Sequence, residues 1–471
     1  MDEVVLYVTA GDPADKHAQE SVAAVASVHK SQQHATFRHA QCPVNGAAVS
    51  GLGAGSRLFV AGTDRALIST YVWGKEAPDQ RLAVPELMAC LALAPQPAPA
   101  RSADAAKTTH SVPWLLAAGS ASGKLYVWEV ASGDLVCVKD AHYQRVASLA
   151  FSPCGSFLVS GGHDTRVNVW RTADLVAPHT ASRCKPHASF SDHALAVTGV
   201  AFVAAPSGAG SLVASASRDG TLRIYDVAAR CLQTTLVFSA AVECFARDPA
   251  GRAYYAGLAD GSIRRVDMYA VNPHSHEVEA VGGAGRIVTV AADGDPGAAF
   301  GHLQTGGGPH ATVLAVTMDG MSLVSGDTQG RVFVADVATR QVVKAYSACK
   351  SAIAHLHVGT CSTAALAPGG HAEKTHRLLP PLKRVLAAGV LADHTVTVQL
   401  PAPRGRAVGF AAWVDAKAQQ EFEFRRDTGD DAAPKDGPAD VAAVQAKLNT
   451  VSAAYSALRE TYGQLLQAHE A

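Results

Sequence analysis

One unit recurs along the chain: an apolar stretch ending in small residues, a polar tight turn, and a stretch in which apolar and polar positions alternate. It reads WLLAAGSASGKLYVWEV (114–130), FLVSGGHDTRVNVWRT (157–172), LVASASRDGTLRIYDV (212–227), AYYAGLADGSIRRVDM (253–268) and SLVSGDTQGRVFVADV (322–337). An early copy is RLFVAGTDRALISTYVW (57–73), and a degraded one is RVLAAGVLADHTVTVQL (384–400). Leu222 and Ile224 alternate with Thr221 and Arg223, the period of a strand with one buried face. Gly220, Gly261 and Gly330 stand where a tight hairpin turn needs a positive φ. Ahead of several hairpins comes a further apolar strand closing on a turn, as in VASLAFSPCG (146–155), VTGVAFV (197–203), VECFARDPAG (242–251) and VLAVTMDG (313–320).

Each unit is therefore a small antiparallel sheet of about four strands, and the shortest repeat distances match the roughly 40–45 residues of a propeller blade. Two units carry a set of side chains that resembles the His–Ser–Asp–Trp tetrad of WD repeats: His142, Ser160, Asp164 and Trp170, then His193, Ser215, Asp219 and Tyr225. Other units have decayed, with Ser122 and Gln329 at the Asp position and Val266 and Ala335 at the Trp position. The chain is thus expected to be all-β, a WD-repeat β-propeller over residues 1–410. Seven blades are expected, with the N-terminal stretch supplying strands that close the ring and remove its open edges; an eighth pair is the alternative. Insertions are placed near 94–113, 269–309 and 359–383, and residues 411–440 read as an acidic linker.

Beyond the linker the period changes. Val441, Val444, Leu448, Val451, Tyr455, Leu458, Tyr462 and Leu465 alternate at three- and four-residue spacing, the seam of a coiled-coil helix over 441–470. Asp440 is a plausible N-cap, and the helix would extend roughly 45 Å at 1.5 Å per residue. Periodicity alone leaves open whether the seam pairs with a second copy or with another subunit.

Composition narrows the function. Hydrophobic residues make up 48% and charged residues 17%, which is globular, and a formal charge of −1 supplies no field to hold a polyanion. Nine scattered cysteines without a C-x-x-C favour reduced thiols in an intracellular protein. No basic leader and no apolar run of membrane-spanning length is present in these residues, so no membrane partner is expected. GSASGK (119–124) is one residue short of a phosphate loop and falls on a hairpin turn, so it is read as a turn. The His–Ser–Asp sets name the residues of a hydrolase triad. They recur at a repeat position, as a structural lock does, so neither a catalytic residue, a cofactor nor a metal is assigned. His371, Lys374, His376, Arg377, Lys383 and Arg384 could touch RNA phosphates weakly, as could Arg404, Arg406, Arg425 and Arg426. The other reading of both groups is solvated loop.

The resemblance can be drawn closer. GKLYVWEVASGDLVCVKDAHYQRV (123–146), HDTRVNVWRTADLV (163–176), MDGMSLVSGDTQGRVFVADVATRQVV (318–343) and the tail KLNTVSAAYSALRETYGQLLQAHE (447–470) are similar to one WD-repeat family. The Met1-Asp2-Glu3-Val4 start and the Pro85-Glu86-Leu87 element agree with it. This is the WD-repeat subunit of the three-protein complex needed for late 60S ribosome assembly. The resemblance implies a non-catalytic scaffold in the nucleus (nucleolus and nucleoplasm), bound to helical-repeat scaffold subunits and homodimeric through its C-terminal helix. It implies docking on pre-60S particles, support for processing of the second internal transcribed spacer, and recruitment of a midasin-type AAA ATPase. An adaptor role in chromatin and replication licensing is a further implication. The competing class is a propeller substrate receptor of a cullin ubiquitin ligase. Such receptors carry Trp-Asp-x-Arg, whereas Arg230 and Arg340 lie two residues too far from Asp226 and Asp336.

Overall fold

Glycines near the end of the second strand of a blade mark where neighbouring blades meet. In the computed structural model, a Cβ built on Gly119 would lie 2.6 Å from Val146 of the next blade, and one on Gly161 2.7 Å from Val197. Gly257 and Gly326 occupy the same repeat position and abut Ala311 and Ile353 in the same way. The small-residue ending seen in the sequence is thus the groove that receives the following blade. The structure describes residues 2–11, 22–52, 56–95, 113–177, 184–204, 211–272, 274, 276–290, 309–361, 378–386 and, near the C-terminus, 449, 450, 452, 453 and 456. The chain divides into two compact units, Met1–Leu400 and Pro401–Ala471.

Seven antiparallel sheets form the blades of a WD40 propeller in the first unit. Blade 2 comprises Ala47–Val49, Arg57–Ala61, Leu67–Val72 and Gln80–Ala83. Blade 3 comprises Met88–Leu93, Leu115–Ser120, Lys124–Glu129 and Leu135–Asp140. Blade 4 holds Val146–Phe151, Phe157–Gly162, Val167–Arg171 and Ala188–Phe190. Blade 5 holds Val197–Ala204, Ser211–Ser217, Thr221–Asp226 and Cys231–Val237. Blade 7 runs through Ala311–Val316, Ser322–Asp327, Val332–Asp336 and Val342–Ala345. The turn glycines Gly220, Gly261 and Gly330 have φ of 77°, 88° and 79°, as their positions required.

Blade 1 closes the ring. Its strand Asp2–Thr9 lies between Val22–Ser27 on one side and Ile353–Cys361 on the other, with Val5 opposite both Ala26 and Val358. Gln33–Arg38 completes it on the outside. The N-terminal stretch is therefore the closing element rather than an eighth pair. None of the seven sheets includes the described part of the copy at 384–400, residues 384–386, and residues 387–400 lie outside the described residues. Gly359–Cys361, at the start of the segment placed as an insertion, still pair with Asp2–Val4.

Blade 6 has three strands among the described residues, Val242–Arg247, Ala253–Leu258 and Ile263–Asp267. The chain that follows forms a hairpin of Tyr269–Val271 and Val278–Ala280, then Arg286–Thr289 joins blade 5 in parallel beside Cys231–Val237. The expected insertion at 269–309 therefore includes a fifth strand for blade 5, and Val288 packs on the core between blades 5 and 6.

A short strap, 378–386, lies on blades 2 and 3. Leu379 and Leu382 are buried with Phe59, Leu82 and Trp128. The Gln80 side chain both donates to the Leu379 carbonyl and accepts from its amide, each at 2.9 Å. Lys383 pairs with Asp134. Val385 is 78% exposed, and Leu386, which ends the described part of this excursion, bridges Leu135 of blade 3.

Asn45 crosses the axis. Its backbone, at φ 62°, accepts from Leu91 of blade 3 and donates to Ala354 of blade 1. Its side-chain amide reaches the carbonyls of Ala147 in blade 4 and Thr198 in blade 5 at 3.3 and 3.4 Å. One left-handed residue, tolerated because it is Asn, thus ties the inner strands of four blades.

His355, on the closing strand, borders a small cavity of about 150 Å³ on the inner strands, and its Nε2 is shut from solvent without a hydrogen bond. Burial, with His357 nearby, pushes its pKa down to about 3 from an ordinary 6.5. Between those values the unfolded chain takes up a proton that the folded chain refuses, so stability falls as pH drops from 6.5 towards 3. Thermal melts of the parent should lose about 1 kcal/mol per pH unit in this window from His355. In His355→Gln the pH 4.5–6.5 slope should be shallower; an unchanged slope would refute the assignment.

Candidate functional site

The tetrad forms in full in blade 4 and in three of its four members in blade 5. In blade 4, His142 contacts Asp164 at 2.8 Å through Nδ1 and Ser160 at 2.9 Å through Nε2, and the Trp170 indole N–H donates to Ser160 Oγ at 3.1 Å. Asp164 also accepts the Tyr143 amide at 3.0 Å, which joins the loop entering the blade to the turn of its hairpin. Burial alone would raise the Asp164 carboxyl. The hydrogen bond and charge of His142 and the amides of Tyr143 and Arg166 outweigh it and hold the carboxyl below its ordinary range. Ser160 is fully buried. Its oxygen, already held by an imidazole and an indole, has no approach for a substrate, so the triad-like grouping is a lock.

In blade 5, His193 contacts Asp219 at 3.1 Å and Ser215 at 2.7 Å, and Asp219 accepts the Ala194 amide at 3.0 Å. Thr221 adds a hydroxyl donor to Asp219 at 2.6 Å. The fourth member departs from the pattern. Tyr225 is fully buried and stacks on Phe190 at 4.1 Å between centroids, but its hydroxyl meets no hydrogen-bonding geometry, although Ser215 and Asp192 are beside it. Tyr replaces Trp as a packing element and leaves the polar link unmade.

Blade 3 shows what a decayed unit becomes. Glu86 stands in the loop entering the blade and accepts from Ser122 at 2.5 Å and from Tyr126 at 2.7 Å, with Lys124 at 3.6 Å. The residue at the Ser position is Ala118, so the buried indole of Trp128 has no hydroxyl to meet. Its N–H instead donates to the Lys383 carbonyl of the strap at 2.9 Å. Asp226 and Asp336, weighed above as receptor-motif residues, cap their own turns by accepting the amides of Ala228 and Thr339.

His163 and Arg218, in the turns of the two tetrads, line a funnel of about 490 Å³ that residues of several other blades also border. Arg145 and His163 of blade 4, Arg218 of blade 5, Glu243 of blade 6 and Asp64 of blade 2 line it, and Pro43–Asn45 form part of its wall. Sequence reasoning missed these residues. The available signal was positional: His163 and Arg218 immediately precede the two tetrad aspartates. Of the cations weighed for RNA contact, Lys383 is paired with Asp134, Arg384 is exposed, and the rest lie outside the described residues. The eight seam residues Val441 to Leu465 lie outside them as well.

Comparison with known proteins agrees with this geometry. The model of the WD domain, G-beta repeat, matches residues 133–171 and 184–226, from the outer strand of blade 3 through blade 4 to the third strand of blade 5. The pre-rRNA-processing protein IPI3 of Scheffersomyces stipitis is 40% identical over 100% of this chain and 98% of its own. That of Meyerozyma guilliermondii is 44% identical over 99% of both chains, and that of Candida albicans is 38% identical over 100% and 98%. The chain belongs to the IPI3 family. Members of this family are WD40 propellers without catalytic activity. A relative called crb3/ipi3 in Schizosaccharomyces pombe is 29% identical over 68% of the chain.

The geometry sets a graded mutational series. Asp164→Ala leaves the His142 and Tyr143 donors unpaired and should cost about 1–3 kcal/mol. Trp170→Ala should cost about 3–5 kcal/mol through the cavity left behind. Tyr225→Phe, by contrast, removes a hydroxyl that bonds nothing and should change stability by less than about 0.5 kcal/mol. Denaturant melts check the order, and a Tyr225→Phe loss as large as that of Asp164→Ala would contradict it.

Proposed function

We propose that this chain is a non-catalytic scaffold subunit of a nuclear complex that assembles the large ribosomal subunit. It supports removal of the second internal transcribed spacer, binds helical-repeat scaffold subunits, and helps bring a midasin-type AAA ATPase to the pre-60S particle. The observation that carries this reading is similarity to pre-rRNA-processing proteins along the whole chain, at about 40% identity, including the blades and the tail together. A rigid ring with buried tetrads and loops on two faces suits such a role, because rigid loops position partners without loss of order on binding.

The tail completes the proposal. Eight apolar seam positions on a lone helix would meet water, and burying each aliphatic one contributes on the order of 1.5–3 kcal/mol before ordering costs. Burial does not choose between a second copy and another subunit; following the family resemblance, we propose that Val441–Leu465 pairs with a second copy, giving a homodimer.

Two measurements test these statements. When this chain replaces its relative in Candida albicans, pre-rRNA retaining the second internal transcribed spacer should stay at parental levels; depletion should raise it several-fold. Unchanged precursor levels on depletion would contradict the role. Light scattering of the full chain should give twice the monomer mass, and the Leu448→Asp, Leu458→Asp double variant should give the monomer. A dimer that survives the double change would remove the tail as the pairing element.

A further inference from the structure

The strap at 378–386 is held as a bound peptide is held. Of its nine residues only Leu379 and Leu382 are buried, while Leu378 is 62% exposed. These two anchors enter an apolar groove between blades 2 and 3 whose wall includes Phe59, Leu82 and Trp128. The hydrogen bonds fall on Leu379 and Lys383, either side of Pro380 and Pro381, which have no N–H to offer. Gln80 engages both backbone groups of Leu379. The Trp128 indole N–H donates to the Lys383 carbonyl at 2.9 Å, and the Lys383 amide donates to the Gly133 carbonyl at 2.8 Å. Gly133, at φ 75°, lets the strap lie close, since a Cβ there would stand 2.5 Å from the Pro381 carbonyl oxygen. Asp134 receives the Lys383 ammonium. The groove thus reads a leucine, two prolines, a second leucine and a basic residue. Paired prolines hold φ near about −65° and lower the ordering cost of an extended ligand.

We infer that this groove is a docking site for a Leu-Pro-Pro-Leu-Lys segment of another protein, and that the strap is its competitor in cis. The occupant's chemistry is read from the strap seated in the groove. Trp128 supplies the distinguishing donor. In blade 4 the Trp170 N–H is spent on Ser160 within the blade, whereas Ala118 leaves the Trp128 N–H to a carbonyl outside its own sheet. With the strap lifted, the apolar wall would meet water, so the groove favours an occupant. An arriving segment of the same chemistry restores each contact. Exchange then has to overcome only the tether, which holds the strap at an effective concentration on the order of millimolar. A partner kept nearby by a second contact does so by the same arithmetic. The groove shares no lining residue with the funnel and does not depend on the assembly role.

Fluorescence anisotropy on the full chain tests it with a labelled peptide, Gly-Leu-Leu-Pro-Pro-Leu-Lys-Arg-Gly, and a counterpart with serine at its second and third leucines. The Leu379→Ser, Leu382→Ser double variant frees the groove and should bind the peptide saturably. The parent should bind it at least about tenfold more weakly, because its own strap competes. Gln80→Ala, added to the double variant, should weaken binding about tenfold, and the serine peptide should not bind. No saturation of the double variant below about 1 mM, equal affinity in the parent or after Gln80→Ala, or equal binding of the serine peptide overturns the proposal. So does a peptide-free complex of the parent strap with the open groove when both chains carry Leu448→Asp and Leu458→Asp, which would make a second copy the occupant. If the double variant fails to fold, the exposed Lys383→Glu decides the matter. It loosens the strap from Asp134, so the peptide should bind about threefold more tightly than to the parent. Unchanged or absent binding overturns the site.

Discussion

Everything in the propeller depends on one strand pairing. Asp2–Thr9 is hydrogen-bonded to Ile353–Cys361, residues separated by nearly the whole ring. Until it forms, blade 1 lacks its inner strand and blade 7 lacks the neighbour against which Gly326 packs Ile353. Long-range pairing of this kind is costly in loop entropy, so it must be rewarded by burial. The reward is visible: Val4, Val5, Leu6 and Val8 are fully buried or nearly so. Asn45 adds a second constraint at the axis, fastening blades 1, 3, 4 and 5 from a single position.

Within that frame, polar locks are used where they survive and replaced where they do not. Blade 4 keeps a full tetrad, blade 5 keeps three polar members and fills the fourth place by stacking, and blade 3 substitutes a carboxylate for the imidazole. The loss of one hydroxyl at Ala118 has a structural consequence, because the Trp128 N–H then serves the strap. Decay of the repeat is therefore redistribution of hydrogen bonds, as expected when each buried donor needs an acceptor. The asymmetry that results gives each blade its own surface, and an assembly platform needs distinct surfaces.

Much of the propeller was legible because its determinants are local and periodic. Alternation located the hairpins, glycine located their turns, and tetrad spacing located the buried locks. Residues whose role depends on distant chain were not legible. Asn45 looks like one half of an Asn-Gly turn, and nothing local says that it meets blades 100 to 150 residues away. Arg145, His163 and Arg218 read as ordinary turn residues until the ring brings them together. The copy at 384–400 matched a blade in pattern, but the seventh blade of the ring, blade 1, is built by Asp2–Thr9, Val22–Ser27, Gln33–Arg38 and Ile353–Cys361, and most of that copy lies outside the described residues. Likewise, no local signal shows that the segment after Asp267 sends a strand to blade 5 and leaves blade 6 with three strands among the described residues.

The central claim is that this closed ring serves pre-rRNA processing as a platform within a large particle. Gradient sedimentation of the tagged full chain from growing cells tests it most directly, with the RNA in each fraction identified by hybridisation. The protein should travel with large-subunit precursor particles and retain unprocessed pre-rRNA when recovered from those fractions. A chain found entirely at the position of free protein, with no pre-rRNA attached, would contradict the account.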